Sequence, residues 1–278
     1  MSSHREPTAS LLRRVNLAKS TFEGWPIYEV TPRTGGATGH ILYVHGGGYV
    51  RPLQPAHWDF IARVSALTGR ALTVPDFPVA PEQTHRDVFP TLRRLYDHVT
   101  SRTGMDRFAV MGDSAGGTMG LALVQSLPEG HARPSDLILM SPWLDATMTN
   151  PDIGAIEPYD PMSSTADLKR LARMWAGDDE LSTPWLSPLN GPLENLGRLT
   201  IFTGTNDILN PDARRLTDLA APAAGTEVVL HEYPAMTHAF MLLVPGAETD
   251  AVLAEIVNQL GAAESTTGAV ARPSRIHR

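Results

Sequence analysis

Short apolar runs bounded by Gly, Pro, Asn and Asp alternate along the chain with segments whose apolar positions recur every three or four residues. The runs at 25–30, 40–45, 71–76, 108–112, 136–141, 199–204 and 227–233 predict strands. Helical spacing appears around 57–67, 89–101, 115–127 and 212–221, the last with Asn210 placed to cap it and Pro211 at its first position. Residues 250–260 set Leu253, Ile256, Val257 and Leu260 on one helical face. Strand and helix in alternation predict an α/β fold: a mostly parallel central sheet flanked by helices, in one domain of 278 residues. From 261 to 278 the residues are small and polar, which predicts a flexible tail.

The segment from Asp145 to about Asn190 interrupts this alternation and is too long for a plain crossover loop. Within it Ser164 is a helix N-cap, Asp167 follows at N3, and Leu168, Leu171, Ala172 and Trp175 form one stripe. An insertion there, at the carboxyl ends of strands, predicts a small helical cap over a site.

Composition narrows the choice of function. A net charge of −7 argues against nucleic acid as a partner, because phosphate binding needs a concentrated basic face. No apolar run reaches the length of a membrane span, and no signal-peptide core is visible near the start, so a cytoplasmic location is expected. The absence of cysteine excludes disulfides, thiolate metal sites and cysteine nucleophiles. The ten histidines show no spacing that predicts a metal site.

Gly112-Asp113-Ser114-Ala115-Gly116-Gly117 follows the apolar run Phe108–Met111 and precedes a helical pattern. That is the strand, sharp turn and helix that expose a serine nucleophile, and the strained turn needs small neighbours. His45-Gly46-Gly47-Gly48-Tyr49 follows another strand. A glycine run there lets backbone amides approach a carbonyl oxygen that becomes negative during acyl transfer, and the Ala115 amide, opening a helix, is a further donor. A serine nucleophile needs a base and an orienting acid; where the serine sits on such an elbow of an α/β sheet, these partners follow it in the chain order acid, then His. Asp207, in the loop after the strand at 199–204, is favoured as the acid. Asp212 is its rival, but falls in the first turn of a helix, where a carboxylate serves the dipole. His238 lies in the loop beyond the last strand and is favoured as the base over His231, which sits inside that strand's alternation.

Together these residues resemble the hormone-sensitive-lipase-like family of esterases within the α/β-hydrolase fold. The resemblance runs from about Val30 to Leu260. It is carried by His45–Gly48, Ala80-Pro81-Glu82, Gly112–Gly117, Ser141-Pro142-Trp143, Asp160-Pro161-Met162-Ser163, Trp175–Asp178 and Asp207 ahead of Asp212–Arg215. It implies that the amides of Gly47, Gly48 and Ala115 form the oxyanion hole. It also implies a cap built from about 1–24 together with 145–190, no metal, and no organic cofactor. Where the family often has Asp-Tyr-Arg-Leu-Ala-Pro-Glu, this chain reads Asp76-Phe77-Pro78-Val79-Ala80-Pro81-Glu82, and its N-terminal cap portion is short.

The expected activity is hydrolysis of short- to medium-chain carboxylic esters by Ser114, His238 and Asp207, with a small-molecule ester and water as partners. Tyr49, Trp143, Tyr159, Met162 and Trp175 are candidates for the substrate pocket by bulk and by nearness to the cap. Opening of a lactone or cleavage of an N-acyl amide would use the same triad. A non-catalytic ligand-binding protein on this fold is a further alternative, and a homodimer is compatible with the sequence.

Overall fold

Residues 41–44, 108–111 and 137–140 are apolar without interruption, and such strands are stable only when both faces of the sheet are covered. The computed structural model, which describes residues 11–33, 35–104 and 107–261, shows how this is met. Eight strands form one sheet: β1 (Val15–Phe22), β2 (Trp25–Pro32), β3 (His40–Val44), β4 (Ala71–Pro75), β5 (Phe108–Asp113), β6 (Asp136–Met140), β7 (Gly197–Gly204) and β8 (Thr226–Tyr233). Their spatial order is β1-β2-β4-β3-β5-β6-β7-β8. β1 and β2 are antiparallel to their neighbours, and all strands from β4 to β8 pair in parallel.

Side chains alternate across the sheet with period two. Leu42, Val44, Phe108, Val110, Leu137 and Leu139 join one core cluster. Ile41, Tyr43, Ala109, Met111, Ile138 and Met140 join the other. Helices α2 (His85–Thr103), α3 (Ala115–Gln125), the short α4 (Ile153–Ile156), α5 (Thr165–Ala176) and α6 (Asn210–Ala220) supply buried side chains to the first cluster. Helix α1 (Pro55–Thr68), the short α7 (Phe240–Leu243) and α8 (Ala247–Leu260) supply the second. Each fully buried Leu or Ile contributes about 1.5–3 kcal/mol, so both layers are needed to hold a sheet of this width.

The structure differs from the sequence-based expectation at the N-terminus. Residues 15–22, assigned to a cap, form edge strand β1, paired with β2 from Val15↔Pro32 to Phe22↔Trp25. The turn between them, Glu23-Gly24, has φ of 46° and 88°, the left-handed pair that a tight hairpin requires. β1 is largely exposed, which is why its polar sequence does not read as a core strand. Residues 1–10 of the expected cap and 262–278 of the expected tail lie outside the described residues. Helix α2 begins earlier than its apolar spacing predicts, at a capping box in which the Thr84 amide donates to Asp87 (2.9 Å). Pro90, inside its second turn, obscures that start in the sequence. Helix α6 starts at Asn210 itself, one residue ahead of the predicted position.

Because β4 lies on one side of β3 and β5 on the other, the loops leaving β3 and β5 part in opposite directions. The crevice between their carboxyl ends is where such sheets place ligands. Both glycine-rich motifs lie there.

Candidate active site

Strand β5 ends at Asp113 and α3 begins at Ala115, so Ser114 alone makes the turn, at φ 51° and ψ −122°. Few L-residues adopt this conformation, and the surroundings must enforce it. The Ser114 amide donates to Met140 O (2.8 Å), and its carbonyl accepts from the Trp143 amide (3.2 Å). Gly116 is required by close approach: any Cβ there would collide with the carbonyls of Val44 and His45 at the end of β3.

The structure brings Ser114, His238 and Asp207 together. His238 Nε2 lies 3.0 Å from Ser114 Oγ, and His238 Nδ1 lies 3.1 Å from each Asp207 carboxylate oxygen. An ionised carboxylate only accepts, so Nδ1 carries the proton and the Nε2 lone pair faces the serine hydroxyl. Asp207 is fully buried and also accepts the Leu209 amide (2.9 Å). Burial pushes its pKa up. The facing charge and hydrogen bond of His238, with the Ser141 hydroxyl and the Leu209 amide, outweigh that and hold it below 3.8. Burial likewise disfavours the imidazolium of His238. Asp207 in contact, with Asp160 and Asp113 farther off, overcomes this and raises its pKa above the ordinary 6.5.

Two rivals are separated by position. His231 stays in β8, stacked on Phe202 with ring centroids 4.9 Å apart. Asp212 is buried in α6, where Asn150 Nδ2 donates to its Oδ1 (2.9 Å).

The loop after β3 turns back at Gly47, whose carbonyl accepts the Val50 and Arg51 amides (3.2 and 3.1 Å). Gly47 has φ 117°, and a Cβ there would stand 2.6 Å from Arg51 O, so this turn admits only glycine. The amides of Gly47 and Gly48 make no backbone hydrogen bond among the described turns and loops. The Ala115 amide opens α3 and, like every first helical amide, has no partner within the helix. Phe77 stacks on His45 (4.1 Å, 10°), so the loop in which this chain departs from the usual esterase sequence buttresses the glycine turn.

Ser114, His238, Gly47 and Gly48 line a cavity of about 500 Å³. Its other walls include Leu168, Leu171 and Met174 of α5, and Leu242 and Leu243 of α7. Of the five aromatic and methionine candidates, only Met162 reaches this cavity. Tyr49, Trp143 and Trp175 are instead buried in the first core cluster, with Tyr49 stacked on Trp175 at 5.0 Å. Bulk predicted contact with a substrate, but the apolar rings are better used filling the core. Tyr159 is 66% exposed and lies outside the cavity lining.

Sequence reasoning missed three buried polar groups around the site. Ser141 Oγ accepts the Ala239 amide (3.0 Å) and donates to Asp207, joining the acid loop to the histidine loop. Asp160 accepts the amides of Met162 (2.8 Å) and Ile208 (2.9 Å), tying the 145–190 segment to the residue after Asp207. Asp113 binds the glycine loop. The signals were present in Ser141-Pro142-Trp143, Asp160-Pro161-Met162-Ser163 and Gly112–Gly117, but pattern alone assigns them no partner. No group of three or more potential metal ligands occurs among the described residues, and no described helix is long and apolar enough to cross a membrane.

Residues 41–242 match the family model described as alpha/beta hydrolase fold. A triacylglycerol lipase of Mycobacterium tuberculosis is 28% identical over 229 residues, 81% of this chain, which spans only 47% of that protein's length. An acetyl-hydrolase of Streptomyces hygroscopicus is 29% identical over 71% of this chain and 67% of its own. The crystal structure of an esterase from the bacterial hormone-sensitive lipase family superposes with a TM-score of 0.83 at 26% identity, covering 88% of this chain and 84% of that one. With the sheet order and the glycine-rich turns already described, these similarities identify the chain as a member of the hormone-sensitive-lipase-like α/β hydrolases.

Proposed function

We propose that this chain hydrolyses carboxylic esters through an acyl-enzyme, with Ser114 as nucleophile, His238 as base and Asp207 as its orienting acid. The observation that carries the proposal is the continuous relay of 3.0 and 3.1 Å from Ser114 through His238 to Asp207 at the floor of a cavity. Ser114 Oγ attacks the ester carbonyl as its proton passes to His238 Nε2. The carbonyl oxygen becomes an oxyanion facing the amides of Gly47, Gly48 and Ala115, each such donor contributing about 10²–10³ in rate. The carbon–oxygen bond to the alcohol then breaks, and His238 protonates the departing oxygen. Water, deprotonated by His238, attacks the acyl-enzyme and releases the carboxylic acid and free Ser114.

The 145–190 segment serves as the cap, since α5 contributes Leu168, Leu171 and Met174 to the cavity wall. Apolar walls around a cavity of about 500 Å³ favour short- to medium-chain acyl groups. A panel of p-nitrophenyl esters from acetate to palmitate, run beside lactones and N-acetyl amides, tests this. We expect the highest kcat/KM between acetate and octanoate. Turnover confined to lactones or amides overturns the ester reading.

The raised pKa of His238 sets the pH dependence. Only the neutral imidazole accepts the serine proton, so activity is lost as pH falls through that pKa. Plots of kcat/KM against pH are expected to show one acid limb with a midpoint above 6.5. A flat profile from about pH 5 to 8, or a midpoint below that value, contradicts the relay.

A further inference from the structure

Asp113 stands beside the nucleophile and takes no part in the proton relay, yet it is a buried carboxylate, 2% exposed. Its Oδ1 accepts from the Tyr43 hydroxyl (2.7 Å) and from the Gly46 amide (3.0 Å). Its Oδ2 lies 3.4 Å from His57 Nε2. The other ring nitrogen, His57 Nδ1, accepts the Gln54 amide (2.9 Å), so the ring proton is on Nε2 and points at Asp113. One carboxylate thus collects donors from β3, from the glycine loop and from the start of α1, and fixes all three to the elbow that carries Ser114. A buried carboxylate is stable only with such a set of donors, and an apolar side chain would avoid the cost of desolvation. It would also release Gly46.

Gly46 immediately precedes the two glycines whose amides face the reacting oxygen. It is held by the 3.0 Å hydrogen bond and packed so closely on Asp113 that a Cβ would strike Oδ2. At its other end the turn is held by the Val50 and Arg51 amides on Gly47 O. Between these anchors Gly47 and Gly48 keep φ of 117° and 61°. We infer that Asp113 is a positioning residue: through Gly46 it fixes the Gly47 and Gly48 amides where negative charge develops on the substrate. This rests on the esterase reading above. Its particular consequence is that loss of Asp113 weakens the transition state and leaves substrate binding intact.

The test compares Asp113→Ala with Asp113→Asn, whose Oδ1 keeps an acceptor for Gly46 and Tyr43 while the charge and the His57 contact at the other oxygen are lost. For Asp113→Ala we expect kcat about 100-fold lower with KM changed by less than about threefold. A trifluoromethyl ketone, which adds Ser114 to form a tetrahedral oxyanion, should lose affinity in parallel with kcat/KM. The methyl ketone of the same skeleton, which binds without adding, should not. Asp113→Asn should recover kcat to within about tenfold of wild type. It should also move the acid limb of kcat/KM to lower pH, because His238 then faces Asp207 and Asp160 without the third carboxylate. Equal loss of both ketones, or a fall in kcat that only tracks the folded fraction, overturns the inference. Should the alanine variant not fold, the asparagine variant decides alone: kcat as low as about 100-fold below wild type although the acceptor for Gly46 is kept, or equal loss of both ketones, overturns it. These outcomes leave the esterase reading standing. A wild-type protein that hydrolyses no ester and does not react with the trifluoromethyl ketone removes that reading and this inference together.

Discussion

Ser114→Ala is expected to lower kcat on a good p-nitrophenyl ester by about 10⁵–10⁶-fold with little change in KM, and His238→Ala should cost nearly as much. The two losses should not add, because the hydroxyl and the imidazole act as one unit across their 3.0 Å contact. The double variant should therefore match the poorer single one. Residual catalysis above water would come from the Gly47, Gly48 and Ala115 amides and from binding. His231→Ala supplies the contrast. That ring, in β8, stacks on Phe202 of the neighbouring β7 and has no part in the relay, so its loss costs packing and leaves kcat within about threefold of wild type. An inactive His231→Ala beside an active His238→Ala would reverse the assignment. Rates from purified, folded variants, normalised by titrating the serine with a phosphonate, make the comparison.

The parts of this site that follow from local chemistry were legible in the sequence. A serine forced to φ 51° needs small neighbours, and Gly112, Ala115 and Gly116 announce it. A glycine loop after a strand, then an acid and a histidine each after a later strand, fixes the chain order of the relay. What was not legible depends on partners distant in sequence. Asp113 meets Tyr43 and Gly46, Asp160 meets Ile208, and Ser141 meets Ala239. No local pattern encodes those pairings. The aromatic candidates failed for a related reason. Tyr49, Trp143 and Trp175 were placed near the site along the chain, but which face each ring takes is decided by packing, and they fill the first core cluster. β1 was missed because an exposed edge strand has no apolar alternation to display, although the Glu23-Gly24 turn marks its hairpin.

Asp207→Asn should reduce kcat by about 10⁴-fold, because an amide at that position no longer holds the His238 tautomer that presents a lone pair to Ser114. Asp212→Asn, only five residues along and equally buried, should behave in the opposite way. Asp212 Oδ2 has no hydrogen-bond partner, and burial, reinforced by Asp145 and eased by Asn150 and Arg215, raises its pKa to about 6. The folded carboxyl therefore binds its proton near pH 6, whereas the ordinary value is 3.8. Stability falls as pH rises from the lower value through the higher, and above both the ionised group costs the fold on the order of 2–3 kcal/mol. Asparagine keeps an acceptor for Asn150 without that charge. Asp212→Asn should thus melt a few degrees above wild type at about pH 8, with the advantage gone by about pH 4, while kcat stays near wild type. Melting curves across that range, read beside kcat for both variants, distinguish the two carboxylates. If Asp212→Asn lost activity as Asp207→Asn does, the acid of the relay would have to be reassigned despite the 3.1 Å contact of Asp207 with His238.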